Sequence, residues 1–128
     1  MERILVIDDD AEMRAMLEQT LKSAGHEVVL AANGKQGVKC YRANPTKLVI
    51  TDLYMPEKEG LETIIELGRE YPEVAIIAIS GKPTASALLS IAGRLGAVKT
   101  ITKPFQPQEL LSAVGEVLGR CGSGGQAP

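Results

Sequence analysis

The sequence predicts one α/β domain, a parallel sheet of five strands, each followed by a helix, with helices covering both faces. Short apolar runs recur at Ile4–Ile7, Val28–Ala31, Leu48–Thr51, Val74–Ile79 and Val98–Thr102. The segments between them carry apolar residues at helical spacing. The middle runs are continuously apolar, as strands buried on both faces require, whereas the last contains Lys99 and Thr100 and reads as an edge. Right-handed crossovers leave few ways to connect such elements. The flavodoxin-like order 2-1-3-4-5 places strands one and three side by side and opens a crevice at their carboxyl ends.

Each helix has its own signals. Met13, Met16, Leu17, Thr20, Leu21 and Ala24 form one stripe of the first, with Asp10 placed to cap its start and Gly25 to stop it. Asn33-Gly34 opens a second helix that ends before Asn44-Pro45. Leu61, Ile64, Ile65 and Leu67 mark a third, ending near Tyr71-Pro72. Pro83-Thr84 starts a fourth, carrying Leu88, Ile91, Ala92 and Leu95. Leu89 falls off that stripe and is expected at the surface. Pro107 is a first-turn proline for a fifth helix, backed by Leu110, Leu111, Val114, Val117 and Leu118. Residues 1–121 are expected to form the domain and the Gly-rich stretch 122–128 a flexible tail.

Composition narrows function. A net charge of −2 gives no general affinity for nucleic acid or anionic membrane, and the absence of Trp with one Phe removes a base-stacking platform. No apolar stretch approaches the ~20 residues of a membrane helix. The first strand begins almost at the N-terminus, and Cys40 and Cys121 form no C-x-x-C pair, so a cytoplasmic location with reduced thiols is expected. His26 has no second His beside it and reads as structural or exposed, and Met13 and Met16 as core filler.

The informative positions are the strand ends. Asp8 and Asp9 end the first run, Asp52 the third, and Lys103 the fifth, just before Pro104. Asp is a common turn former and any one of these residues alone is ordinary. Together, in the 2-1-3-4-5 order, they bring three acids and one base to a single sheet edge. Two unit charges ~4 Å apart repel by about 4 kcal/mol at an effective dielectric of ~20. Such a cluster persists by protonating one acid or by taking up a cation. With oxygen ligands and no His or Cys nearby, the cation is a hard one, and Mg²⁺ suits carboxylates, waters and a phosphate oxygen. The Asp8-Asp9-Asp10 turn lacks the glycines with which a nucleotide or flavin phosphate is cradled.

Ile4–Asp9, Asp52 with Met55-Pro56, Ser80-Gly81 and Lys103-Pro104-Phe105 together resemble the receiver domain of two-component response regulators, over roughly residues 2–119. The resemblance implies that Asp52 is the phosphoacceptor, fed by a phosphohistidine on a sensor histidine kinase or phosphotransfer protein. It implies that Asp9, Asp52 and the Tyr54 backbone carbonyl bind Mg²⁺ directly and Asp8 through water. Ser80 and Lys103 then contact the phosphoryl group, and the Lys103-Pro104 peptide is expected to be cis. Output is implied through a downstream protein target or a homodimer made by the fourth and fifth helices, with no direct contact to nucleic acid or membrane. The chain is expected to be no enzyme beyond catalysing its own phosphorylation and dephosphorylation.

Some positions depart from the family pattern. Thr100 stands where receivers usually carry Tyr or Phe, so no ring is present to swing between buried and exposed states. Lys82 and Tyr54 flank the site, and altered dephosphorylation is expected from them. Two alternatives therefore stand beside the phosphorylated switch. One is a receiver-fold interaction module whose output needs no phosphate. The other is a small Mg²⁺-dependent phosphohydrolase, disfavoured because no second acid–base residue or enclosing cap accompanies Asp52. No helix-turn-helix or catalytic output segment is recognised, so the chain is expected to work as a single-domain regulator or relay unless an output lies beyond Pro128.

Overall fold

The structure is a computed structural model that describes residues 2–53, 60–80 and 97–122. Tyr54, Met55-Pro56, Gly81, Lys82, the predicted fourth helix with Leu89, the end of the tail, and the side chains of Leu61 and Cys121 lie outside the described residues. Strands β1 (Arg3–Ile7), β2 (Glu27–Ala31), β3 (Leu48–Asp52), β4 (Ile76–Ser80) and β5 (Lys99–Thr102) alternate with helices α1 (Ala11–Ser23), α2 (Gly34–Ala43) and α3 (Gly60–Glu70), and a C-terminal helix spans Pro107–Gly122. The five strands are parallel, in the order β2-β1-β3-β4-β5, so β5 is an edge as expected.

Side chains alternate across the sheet and build two cores. Ile4, Val6, Leu48, Ile50, Ile77 and Ile79 pack with Leu17 and Leu21 of α1 and with Leu110, Val114 and Val117 of the C-terminal helix. Leu5, Ile7, Val49, Ile76 and Ala78 face the other way, onto Val38 and Tyr41 of α2 and Ile64 and Leu67 of α3. Met13 and Met16 pack at the margin of the first core, as filler.

Local chemistry sets the helix ends. Asp10 caps α1, its carboxylate accepting from the backbone N–H groups of Glu12 and Met13. At the other end the Gly25 N–H donates to the Lys22 carbonyl and the His26 N–H to that of Leu21, with Gly25 at φ 93°, the paired bonds of a Schellman stop. His26 is structural in the sense expected, its Nδ1 accepting from the Glu2 N–H. Asn33 caps α2 through the Gln36 N–H, while the Gln36 side chain reaches back to the Ala32 N–H. Among its described side chains, the third helix differs from expectation at Ile65. Its inward positions are Thr63, Ile64 and Leu67, all fully buried, and Ile65 is turned to solvent at 36% exposure. At 100° per residue, a stripe through 60, 63, 64 and 67 leaves 65 outside it. The fourth strand likewise begins at Ile76 rather than Val74 and extends to Ser80.

Candidate functional site

Strand register explains why the charged residues meet. Ile7 lies level with Thr51, so Asp8 and Asp52 end adjacent strands at one height. Asp52 is level with Ile79 and Ser80 with Thr102, which brings Ser80 and Lys103 to the same sheet edge. Alternation then selects the face. Val6, Ile50 and Ile101 share the core beneath α1, and Asp8, Asp52 and Lys103 each follow two residues later, on the same side. The chain past each strand is pinned to its neighbour: the Leu53 N–H donates to the Ile79 carbonyl and the Lys103 N–H to the Ser80 carbonyl. The Lys103–Pro104 peptide is cis.

A carboxylate oxygen from each of Asp8, Asp9 and Asp52 lies within 4.8 Å of the other two. Asp8 and Asp52 are buried, at 1% and 7% exposure, and Asp9 is exposed. The Lys103 ammonium nitrogen stands 2.8 Å from Asp52 Oδ2 and 3.9 Å from Asp8 Oδ2. Asp8 Oδ1 accepts from the Asp10 N–H at 2.9 Å. Asp10 itself is taken up by the α1 cap and stands outside the cluster, as its sequence position suggested. Ser80 is fully buried at the end of β4. Thr100 is exposed on β5.

Burial first, then the neighbouring Asp52 and Asp9, push the Asp8 carboxyl up to about 6, against the opposing pull of the Asp10 N–H and Lys103. For Lys103, burial favours the neutral amine, but the hydrogen bond and charge of Asp52, followed by Asp8 and Asp10, outweigh it and raise its pKa. The ammonium is therefore permanent at neutral pH. Three carboxylates against one ammonium leave a deficit of positive charge with only oxygen donors around it. That donor set fits a hard divalent ion such as Mg²⁺ and offers nothing to a soft one.

Two contributors escaped the sequence reading. Arg14 Nη1 donates to the Asp8 carbonyl at 2.7 Å, tying the Asp8–Asp9 peptide to α1. Arg14 lies one helical turn past the Asp10 cap, but nothing in the sequence marks the backbone carbonyl it reaches. Gly60, the first residue of α3, abuts the end of β3: a methyl there would overlap the Asp52 carbonyl oxygen and come within 2.5 Å of Leu53 Cα. A glycine following a run of charged residues gave no such hint.

Comparison with known proteins places these features in a family setting. The family model for the response regulator receiver domain matches residues 4–115. Chemotaxis protein CheY of Thermotoga maritima is 35% identical over 116 residues, which cover 90% of this chain and 96% of that protein. The probable transcriptional regulator ycf27 of Porphyridium aerugineum is 37% identical over 119 residues, 93% of this chain and 49% of the regulator, so the chain spans about half the length of that relative. Among solved structures, response regulator protein TrrA of Thermotoga maritima, in complex with Mg²⁺–BeF, superposes with a TM-score of 0.82 at 33% identity, over 92% of this chain and 100% of TrrA.

Proposed function

The chain belongs to the response regulator receiver domain family, and from that premise we propose that it accepts a phosphoryl group on Asp52 and uses it to switch protein–protein contacts. The observation that carries the proposal is the buried Asp52 carboxylate, 2.8 Å from the Lys103 ammonium and inside a three-carboxylate cluster. An Asp52 oxygen attacks phosphorus, the P–N bond of the donor phosphohistidine breaks, and its electron pair leaves on the imidazole nitrogen. Asp9, Asp52 and the Tyr54 carbonyl would hold Mg²⁺, with Asp8 acting through water. When bound, the ion offsets carboxylate repulsion and neutralises charge on the transferring oxygens. Lys103 would supply the remaining positive charge, and the Ser80 hydroxyl would donate to a phosphoryl oxygen. The donor is a sensor histidine kinase or phosphotransfer protein, and the output is a downstream protein or a homodimer through the predicted fourth and fifth helices. No helix among the described residues is long and apolar enough to cross a membrane, and we place the protein in the cytoplasm. We assign residues 1–121 to the functional unit and 122–128 to a tail, of which Gly122 still belongs to the C-terminal helix.

The energy available for switching is modest. Charge-assisted hydrogen bonds contribute ~1.5–3 kcal/mol each, and inverting a 1:99 equilibrium takes about 5.5 kcal/mol. Lys103 already bonds Asp52 before any phosphoryl group arrives, so its bond to the phosphoryl oxygen is an exchange rather than a pure gain. Phosphorylation then shifts the population part of the way, and partner binding completes it.

Incubation with acetyl phosphate and Mg²⁺ tests the proposal. One equivalent of acid-stable, base-labile label is expected in the wild type and in Asp10→Ala, and none in Asp52→Ala or without Mg²⁺. Labelling that survives Asp52→Ala refutes the assignment, and turnover of many equivalents of an unrelated phosphate ester assigns the site to a phosphohydrolase. Thr100, exposed on the edge strand where receivers usually place an aromatic ring, favours a second reading, an interaction module independent of phosphate. Equal partner capture with and without beryllofluoride would select it.

A further inference from the structure

The face built by α2 and α3 is divided by charge. From residue 28 to residue 51 the chain carries four cations, Lys35, Lys39, Arg42 and Lys47, and no acid, although the whole chain has a net charge of −2. Residues 60–73 reverse the pattern, with Glu62, Glu66, Glu70 and Glu73 against Arg69. The two sets lie in parallel rows. Lys35, Lys39 and Arg42 fall at i, i+4 and i+7 of α2, and Glu62, Glu66 and Glu70 at i, i+4 and i+8 of α3. At 1.5 Å per residue the rows are ~10 and ~12 Å long. Arg42 ties them at one height, bonding Glu70 at 2.9 Å and Glu66 at 3.5 Å. A surface cleft of about 710 Å³ follows the basic row, lined by Lys35, Lys39 and Arg42 with Glu66 on its far wall. Lys35 and Lys39 are exposed and make no ion pair with any described residue.

A purely acidic partner lying along the basic row meets the glutamates one helix away and is repelled. The surface that matches both rows carries an acidic row opposite the basic one and a basic row opposite the acidic one. A second copy of this chain presents that pattern. Helices α2 and α3 follow parallel strands on one face of the sheet and run side by side. A two-fold axis parallel to them, lying between the facing molecules, sets the α2 row of one copy against the α3 row of the other, and does so twice. A dyad perpendicular to the helices would oppose like charges. Ile65, exposed on the outer side of α3 beside Glu62 and Glu66, adds apolar contact.

We propose that this face mediates a weak, isologous self-association of the chain through α2 and α3, separate from the phosphoacceptor site. Charged contacts of this kind are screened over a Debye length of ~8–10 Å at physiological salt. The dimer is therefore expected at protein concentrations near ~0.1–1 mM in low salt and is dispersed by about 0.5 M NaCl.

Sedimentation equilibrium of the full chain, without Mg²⁺ or phosphodonor, supplies the test. Lys35→Glu/Lys39→Glu makes both rows acidic, and Glu62→Lys/Glu70→Lys makes both basic. Each variant alone is expected to lose association by more than about tenfold. A 1:1 mixture restores it, because the acidic face of one variant meets the basic face of the other in both contacts. Circular dichroism and thermal melts check that the variants fold, and the neutral pair Lys35→Gln/Lys39→Gln gives an intermediate loss. A wild type that stays monomeric in low salt overturns the proposal. So does association untouched by either reversal, the signature of a dimer on another face, or a mixture that fails to recover.

Discussion

Replacing Asp8 by Asn tests the physical origin of the site most directly. Asp8 is 1% exposed, and its carboxyl is pushed from 3.8 up to about 6, by burial first and then by Asp52 and Asp9. A folded pKa above the unfolded one means that the fold favours the protonated acid. The stability it contributes is fully present below the unfolded pKa and is lost as pH rises through about 6. At pH 7.5, above both values, the ionised carboxylate costs about 3 kcal/mol relative to a neutral group, from roughly two units at 1.36 kcal/mol each. At pH 4.5 the same two values leave a difference of about 1 kcal/mol. Asn is neutral, of similar shape, and keeps the oxygen that accepts from the Asp10 N–H. Urea unfolding in EDTA is therefore expected to show Asp8→Asn more stable than wild type by about 3 kcal/mol at pH 7.5 and by about 1 kcal/mol at pH 4.5. Adding Mg²⁺ at pH 7.5 is expected to stabilise the wild type more than the variant, shrinking the gap. A variant no more stable than wild type at pH 7.5, or a gain equal at both pH values, would show that charge crowding at Asp8 does not govern this site.

Other perturbations act on single contacts. Lys103→Met removes the ammonium 2.8 Å from Asp52. It is expected to lower stability in EDTA by about 2–4 kcal/mol, since an uncompensated buried charge remains, while tightening Mg²⁺ affinity in calorimetric titration because a competing cation is gone. Gly60→Ala drives a methyl into the Asp52 carbonyl and Leu53 backbone, and a loss of more than about 2 kcal/mol together with slower acetyl phosphate labelling is expected. Gly115→Ala on the C-terminal helix has nothing within 4 Å and should instead stabilise by up to about 1 kcal/mol through helix propensity. Asp10→Ala removes the α1 cap and is expected to cost about 1 kcal/mol in denaturant melts without abolishing labelling.

The parallel sheet was legible because burial on both faces demands uninterrupted apolar runs, and Leu48–Ile50 and Ile76–Ile79 supply them. The convergence of Asp8, Asp52 and Lys103 was legible for a related reason. Each ends a run, and once the strand order is known, the period of two sends all three to one face. Exposure on α3 was less so. Ile65 sits between inward Ile64 and inward Leu67, and an isoleucine carries no mark of which side of a stripe it occupies when the helix start is uncertain by one residue. Contacts with backbone were hidden altogether. The Arg14 bond to the Asp8 carbonyl and the closeness of Gly60 to β3 depend on where peptide oxygens point, and no side-chain pattern encodes that.

Charge arithmetic joins the stability of the site to its use. Ionised Asp8, Asp9 and Asp52 with protonated Lys103 sum to −2, which a divalent cation cancels. A phosphoryl group on Asp52 changes that residue from about −1 toward about −2, so the loaded site is again unbalanced by about one charge. The imbalance falls where Lys103 and Ser80 leave the sheet edge beside β5. A site left short of charge in both its empty and its phosphorylated states cannot settle by itself. On the proposed function it would draw in first an ion and then a rearrangement of the neighbouring chain, as a switch requires and a structural ion pair does not. Replacing Asp8 and Asp9 together by Asn would leave Asp52 and Lys103 balanced from the start. The double variant is expected to be the most stable form in EDTA and the least responsive to Mg²⁺ and acetyl phosphate, measured as the shift in Tm on their addition. A double variant that still responds as the wild type does would separate signalling from charge frustration, and the switch would then need a driving force other than unbalanced charge.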